Sequence, residues 1–343
     1  MTLSLLNPVE YPKWDDLLLT AERATFFHTS AWARVLSEFY GYKPLYFCAI
    51  EGVRLTGLIP VMEIDSFLTG KRAVSLPFTD ICPVLVDSEG AFQGLLDCLR
   101  KHGRKAAWKS IEFRGGGEYF GTAPAVATHF THTLALDQDE GKVFAAFKSS
   151  TRRNIRRALA EGVEVKFLVS QEAVADFYRL NCLTRRDHGL PPQPRHFFGK
   201  IYEHIIAMGK GFVVLVLNQG RPIAGAVFFH FREEGIYKYG ASDKHFRHLR
   251  ANHLVMWEAI RWCCRNGIRS FSFGRTEPEN KGLLQFKRGW GTKEDKVAYY
   301  KLNLIENAFS AEASGVRSSY SVCRFLPVPV LQLAGRVLYR HVG

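Results

Sequence analysis

Two stretches of this chain stand in the same register 168 residues apart. Gly52-x-x-Leu55-x-Gly57 runs into the apolar LIPVMEI, and Gly220-x-x-Ile223-x-Gly225 runs into AVFFHF, so that 220 − 52 equals 225 − 57. A glycine between two apolar alternating runs is a hairpin signal, and here the signal occurs twice with its glycines and aliphatic residue in step. The elements around each hairpin repeat as well. The first half reads as a helix near 29–40, the strands PLYFCAIE and LTGLIPVMEI, a third strand RAVSLPF, a helix near 89–103 and the strand KSIEFRG. The second half reads as FVVLVLNQG, PIAGAVFFHF, GIYKYGAS, a helix over 251–265 with an apolar stripe, and RSFSFGR.

A chain patterned in this way folds as two copies of one α+β unit, which fits the prior of two ordinary domains for 343 residues. We expect a first domain over 1–145, a second over 146–303 and a tail over 304–343, with a groove between the copies as a binding site.

Composition restricts the function classes. Apolar residues at 47% and charged residues at 23% describe a globular chain and exclude a disordered or fibrous one. The net charge of +13 points to an anionic partner. Seven cysteines without a C-x-x-C pair argue against a zinc site or a disulfide scaffold, and fit a reduced cytosolic compartment. The N-terminal MTLSLLNPVEYPKW has no basic flank and no long apolar run, which predicts no secretory signal. No metal is expected.

Between the copies lies FKSSTRRNIRRALAEG. With Ser149 or Ser150 as cap, a helix over 150–161 stacks Arg152 on Arg156 and Arg153 on Arg157, and turns Ile155 and Leu159 elsewhere. Like charges four apart repel, so this face either meets solvent or binds an anion, for which a guanidinium offers two parallel donors. A second basic stretch, FSFGRTEPENKGLLQFKRGWGT over 271–292, reads as a strand that breaks at Gly274 and passes into a glycine-flanked loop with Arg275 and Lys287.

TRRNIRRA, FHTSAWARVLSEFYG, SLPFTD and FGR…LLQFKRGWGT together resemble the Fem-type transferases, tandem-repeat relatives of the GNAT acyltransferases, and within them the FemAB-related branch associated with cell-surface polysaccharide systems. The resemblance covers about residues 10–303 and is most specific over 268–292. It implies tandem GNAT-like domains, each a mixed β-sheet flanked by helices, and transfer of an acyl or aminoacyl group onto an amine of a cell-envelope precursor, peptidoglycan-related or a polysaccharide. It also implies that Phe286-Lys287 occupies the reacting centre. No tightly bound cofactor is expected; the donor would be acyl-CoA or aminoacyl-tRNA.

The chemistry needs a cation beside the developing oxyanion, which Lys287 would supply. Arg275, Arg152, Arg153, Arg156, Tyr239 and Asp243 are assigned to substrate binding, and Asp243, His245 and Glu277 are the choices for a base. GNAT enzymes that use acetyl-CoA hold its pyrophosphate on a (Gln/Arg)-x-x-Gly-x-(Gly/Ala) turn at a helix N-terminus. Here the turn reads Arg247-His-Leu-Arg250-Ala-Asn252, with no glycine, two cations for the cofactor phosphates, and Asn252 as the expected helix cap. Relatives acting on peptidoglycan carry a lysine four residues after a tryptophan-like position, where this chain has Leu36 after Trp32.

Two other classes remain open at this level. A nucleic-acid-binding protein would use the basic junction helix and an aromatic strand face such as Phe228, Phe229 and Phe231, all of which pattern as core. A non-catalytic envelope scaffold would keep the fold alone. The expected partners are an anionic small molecule or glycan precursor, tRNA, and a membrane surface touched peripherally by the tail, whose SVCRFLPVPVLQLAGRVLYRHVG mixes apolar residues with Arg324, Arg336 and Arg340. For that tail a helix docked on the protein is the alternative. The expected place is the cytoplasm, at the inner face of the membrane.

Overall fold

The computed structural model describes residues 2–311 and 321–342. They form two compact units, one from residues 2–129, 296–311 and 338–342, the other from 130–295 and 321–337.

The first unit opens with β1 (Thr2–Leu6), α1 (Trp14–Leu18) and α2 (Ser30–Tyr40). Thr29 accepts the Trp32 amide to start α2, and Gly41, at φ +72°, ends it. β2 (Lys43–Glu51) and β3 (Arg54–Ile64) pair antiparallel around Gly52, whose φ is +60°. Then come β4 (Arg72–Val74), β5 (Leu85–Val86), α3 (Glu89–Lys105), capped by Ser88, and β6 (Ser110–Arg114).

β7 (Ala127–Ala135) carries the chain into the second unit, which holds α4 (Glu140–Ala146), α5 (Ser149–Ala160), β8 (Glu164–Leu168), α6 (Gln171–Asp187) and α7 (Arg195–Ile201). There β9 (Gly211–Asn218) and β10 (Arg221–Phe231) form the second hairpin, around Gly220 at φ +73°. β11 (Glu234–Ser242), α8 (Ala251–Arg265), β12 (Ser270–Thr276) and α9 (Lys281–Arg288) follow. β13 (Lys293–Asn303) returns the chain to the first unit, before β14 (Ala308–Phe309) and α10 (Val328–Val342).

The repeat is carried into the topology. The first unit's sheet runs β1-β2-β3-β4-β6-β13 and the second's runs β7-β12-β11-β10-β9-β8. In each, a hairpin is followed by a third strand, a helix, and a strand parallel to the third: β4 with β6, β11 with β12. All other pairs on these paths within a unit are antiparallel, so both sheets are mixed. The second matched glycine has a packing reason in both copies. A Cβ on Gly57 would lie 2.8 Å from Leu95 Cδ1, and one on Gly225 would lie 2.5 Å from Leu215 Cδ2.

Each unit has its own core. Phe47, Ile59, Leu95 and Ile111 pack in the first, and Val214, Phe228, Leu254 and Phe271 in the second. Phe228 and Phe229 are wholly buried and Phe231 is half-buried, so two of the three rings that a nucleic-acid reading would use for stacking lie in the core.

Several local expectations are corrected. RAVSLPF pairs only over β4, because Leu76 and Phe78 take positive φ and turn the chain. The junction helix starts after Lys148 with no side-chain cap from Ser149 or Ser150. Its buried residues are Thr151, Ile155 and Ala158, while Leu159 is exposed, since the inward stripe follows a spacing of three and four residues. Asn252 does not cap α8: Arg250 holds the cap position and Asn252 Nδ2 donates to Ser242 Oγ at 3.1 Å. Phe286-Lys287 lies in α9, not in a loop, because Asn280 accepts the Leu283 amide and starts a helix there. Of the linker-like SAEASG, residues 312–315 lie outside the described residues.

Candidate functional site

The second unit's parallel pair comes apart part-way. β11 and β12 are in register only from Glu234–Ile236 against Ser270–Ser272. Beyond that point a register shift between Ser272 and Arg275, with Gly274 at φ +67°, leaves β12 paired to β7 through Arg275 and Thr131. Glycine is the residue that takes this backbone angle without strain. The far half of β11 therefore borders a gap.

A cavity of about 580 Å³ occupies this part of the unit, lined by Tyr237, Gly240, Ala241 and Ser242 of β11, Val255 and Met256 of α8, and Phe286 of α9. Thr184, Asp187, His188, Arg247, Asn252 and Asn280 add polar groups. A smaller cavity of about 210 Å³ adjoins it at the N-terminus of α8, with Asp243, Arg247, Arg250 and His253 in its wall. Both share Ser242, Arg247, Asn252 and Phe286. An apolar floor with convergent polar groups, open at a helix N-terminus, suits a ligand that is apolar at one end and anionic at the other.

Arg250 explains the missing glycine of this turn. It adopts φ +57°, a left-handed conformation that glycine takes most readily, and it brings a cation to the turn. Asp243 is buried, and it accepts from Arg221 Nη2 at 2.9 Å and from the His245 amide at 3.1 Å. It thus shapes the turn.

Phe286 and Lys287 point to different places. Phe286 walls both cavities. Lys287, 2% exposed, turns to β12, where its Nζ donates to the carbonyls of Gly274 at 3.0 Å and Arg275 at 2.9 Å. Arg275 lies 3.7 Å from Glu277. Beyond Lys287, Arg288 forks onto Glu294 at 2.6 and 2.7 Å, and Glu294 meets His132 Nε2 at 2.8 Å. Burial holds the His132 imidazole below its usual pKa against the pull of Glu294.

On α5 the arginines divide. Arg157 pairs with Glu161 at 3.2 Å, the Arg156 guanidinium lies 5.6 Å over the Phe144 ring, and Arg153 is exposed. Arg152 has a buried Nε without a protein partner among the described residues. Tyr239 packs against Phe198, with ring centroids 5.3 Å apart, and is absent from the cavity lining.

His253 and Asn154 escaped the sequence reading. Asn154 Nδ2 and His253 Nε2 are 3.2 Å apart, which joins α5 to the wall of the smaller cavity. Burial, and then the charge of Arg250, push the His253 pKa down to about 4. His253 sits beside the apolar stripe of α8, so no local signal separated it from core.

Residues 145–288 match the acetyltransferase (GNAT) domain family. Among curated proteins, a lipid II:glycine glycyltransferase of Staphylococcus haemolyticus is 19% identical over 237 residues, covering 49% of this chain and 56% of that protein. One from Staphylococcus epidermidis is 31% identical over 80 residues, 22% of this chain and 19% of the relative. The chain thus spans about half or less of the length of these relatives. Among solved structures, that of FemX superposes with a TM-score of 0.69 at 15% identity, covering 87% of this chain and 97% of that one. A tandem GNAT protein from the clavulanic acid biosynthesis pathway gives 0.56 at 12% identity, over 88% and 99%. At these identities the superpositions speak for the fold, which is a tandem GNAT fold.

Proposed function

We propose that the chain is a Fem-type, FemAB-related tandem GNAT acyltransferase that moves an acyl or aminoacyl group onto an amine of a cell-envelope precursor, a reading supported by the GNAT domain match and the likeness to lipid II:glycine glycyltransferases. One observation carries this reading: the β11–β12 ladder stops at Ile236 and Ser272, and the cavity bordered by the far half of β11 runs to the uncapped N-terminus of α8. The donor's activated carbonyl enters the gap, and its phosphate lies against Arg247 and Arg250, where the helix dipole and two guanidiniums favour negative charge.

The acceptor amine attacks the donor carbonyl carbon. The carbonyl π pair moves to oxygen, the tetrahedral oxyanion collapses as the bond from carbon to the thiol sulfur or ribose oxygen breaks, and the proton given up by the amine ends on that departing sulfur or oxygen. Lys287, held on two backbone carbonyls of β12, is assigned the positive charge that answers the oxyanion, and Phe286 the wall of the cavity. Arg275, Arg152, Arg153 and Arg156 are assigned to the anionic groups of donor or acceptor. The donor classes are acyl-CoA and aminoacyl-tRNA; the acceptor class is a lipid-linked or nucleotide-linked amino sugar or peptide, in keeping with the glycine transfer to lipid II for which the curated relatives are named.

The test is transfer by the purified protein from acetyl-CoA or glycyl-tRNA to amino-sugar and muropeptide acceptors, followed by mass spectrometry. The expected result is a mass gain on the acceptor amine that requires protein and one donor class. A full donor and acceptor matrix without any adduct overturns the reading.

A further inference from the structure

The C-terminal helix presents two unlike faces. In the second unit its inner face is fixed: Leu331 is wholly buried, Gln332 Nε2 donates to Cys182 Sγ at 3.5 Å, and a Cβ on Gly335 would lie 2.1 Å from the Pro192 carbonyl oxygen. The outer face is apolar. Val330, Leu333 and Val337, spaced three and four apart, are 47%, 62% and 55% exposed, and Phe325 in the preceding turn is 88% exposed. Exposed Arg324, Arg336 and Arg340 flank this stripe, and the sequence has no acidic residue after Glu312.

We propose that the outer face of α10, with Phe325, is a docking surface for an anionic lipid bilayer. A water-soluble helix with its inner side already packed gains nothing from three more aliphatic residues in water, whereas an interface gives them an apolar phase. The arginines then lie at headgroup level, where their long stems let the charge reach phosphate. Charge selects this occupant, because a wholly basic rim is complementary to acidic headgroups and repels a second copy of itself. Among the described residues no helix is long and apolar enough to cross a membrane, so the contact lies in the interface plane. It rests on α10 and the turn before it, and is independent of the transfer chemistry.

The experiment is vesicle co-sedimentation of the full chain with phosphatidylcholine alone and with phosphatidylcholine containing phosphatidylglycerol, alongside sedimentation velocity without lipid. Binding is expected to the anionic vesicles and to weaken with added salt. Leu333→Gln with Val337→Gln is expected to weaken it about tenfold or more. Arg336→Gln with Arg340→Gln is expected to cost roughly fivefold per arginine. Circular dichroism shows whether each variant keeps its fold, and Phe325→Ser, outside the helix, is the second variant should the first pair unfold. Wild-type protein that stays in the supernatant, or variants that bind like wild type, overturns the proposal. So does a lipid-independent dimer abolished by Leu333→Gln, which would make a second copy the occupant.

Discussion

The Nζ of Lys287 donates to the main-chain carbonyl of Arg275 at 2.9 Å, from a side chain that water scarcely reaches. The lysine at the proposed reacting centre is therefore also a tether between α9 and the end of β12. Lys287→Met tests both roles. Two carbonyls lose their donor, at a cost of about 1–3 kcal/mol each if they stay dry, so the melting temperature falls. If the charge also stabilises the oxyanion, kcat and kcat/KM fall together by about 10². Both are measured well below the melting temperature; a less stable variant with unchanged kcat would confine Lys287 to the tether.

Arg250→Gly separates backbone from side chain at the turn before α8. The arginine sits at φ +57°, a conformation that costs an L-residue about 1–2 kcal/mol, against about 0.5–1 kcal/mol of extra chain entropy lost by glycine. The melting temperature is expected to hold or rise slightly. Donor binding is expected to weaken several-fold through KM, because the phosphate loses a guanidinium. A variant with unchanged donor KM would show that the turn's backbone alone holds the phosphate.

Acid should destabilise the fold through histidines that remain neutral in it. His28 is wholly buried, accepts the Thr25 amide on Nδ1 at 3.1 Å and faces the Pro83 carbonyl through Nε2 at 3.0 Å; burial lowers its pKa to about 4. In the unfolded chain it titrates near 6.5, so between these values the unfolded state binds more protons and stability rises with pH. The contribution is present above about pH 6.5 and is lost as pH falls towards 4, on the order of 3 kcal/mol. Urea unfolding at pH 7 and pH 5 measures it. His28→Asn should flatten the slope, and a wild-type curve without a slope in this window would refute the assignment.

For the junction helix, Arg152→Gln combined with Arg156→Gln is expected to leave folding intact and weaken binding of the anionic donor or acceptor. The loss should be larger at low salt, where Coulomb attraction is least screened. Arg157, already paired with Glu161, is the control, and Arg157→Gln should change binding little. Equal affinity of the double variant and wild type would make this face solvent-facing only.

What the sequence determined by itself is the repeated unit. The matched glycines at 52 and 220 and at 57 and 225, the helix over 251–265 and the strands around it follow from local spacing: period two, period 3.6, and turns that few residues other than glycine allow. Basic character at 152–157 and 275–288 was legible in the same way. Tertiary structure alone decided where those charges lie. Lys287 was assigned to an open loop and proved to be a buried donor to β12, because a helix start at Asn280 and a partner thirteen residues upstream act together. The left-handed Arg250 and the His253–Asn154 contact were equally hidden, since neither a backbone angle nor a pair ninety-nine residues apart leaves a local pattern. The strands β7 and β13, missed in the sequence, gain their pairing energy from partners far along the chain, β12 and β6. Chain spacing records what neighbours along the backbone require; the site is made by residues whose burial and partners exist only after the sheet has formed.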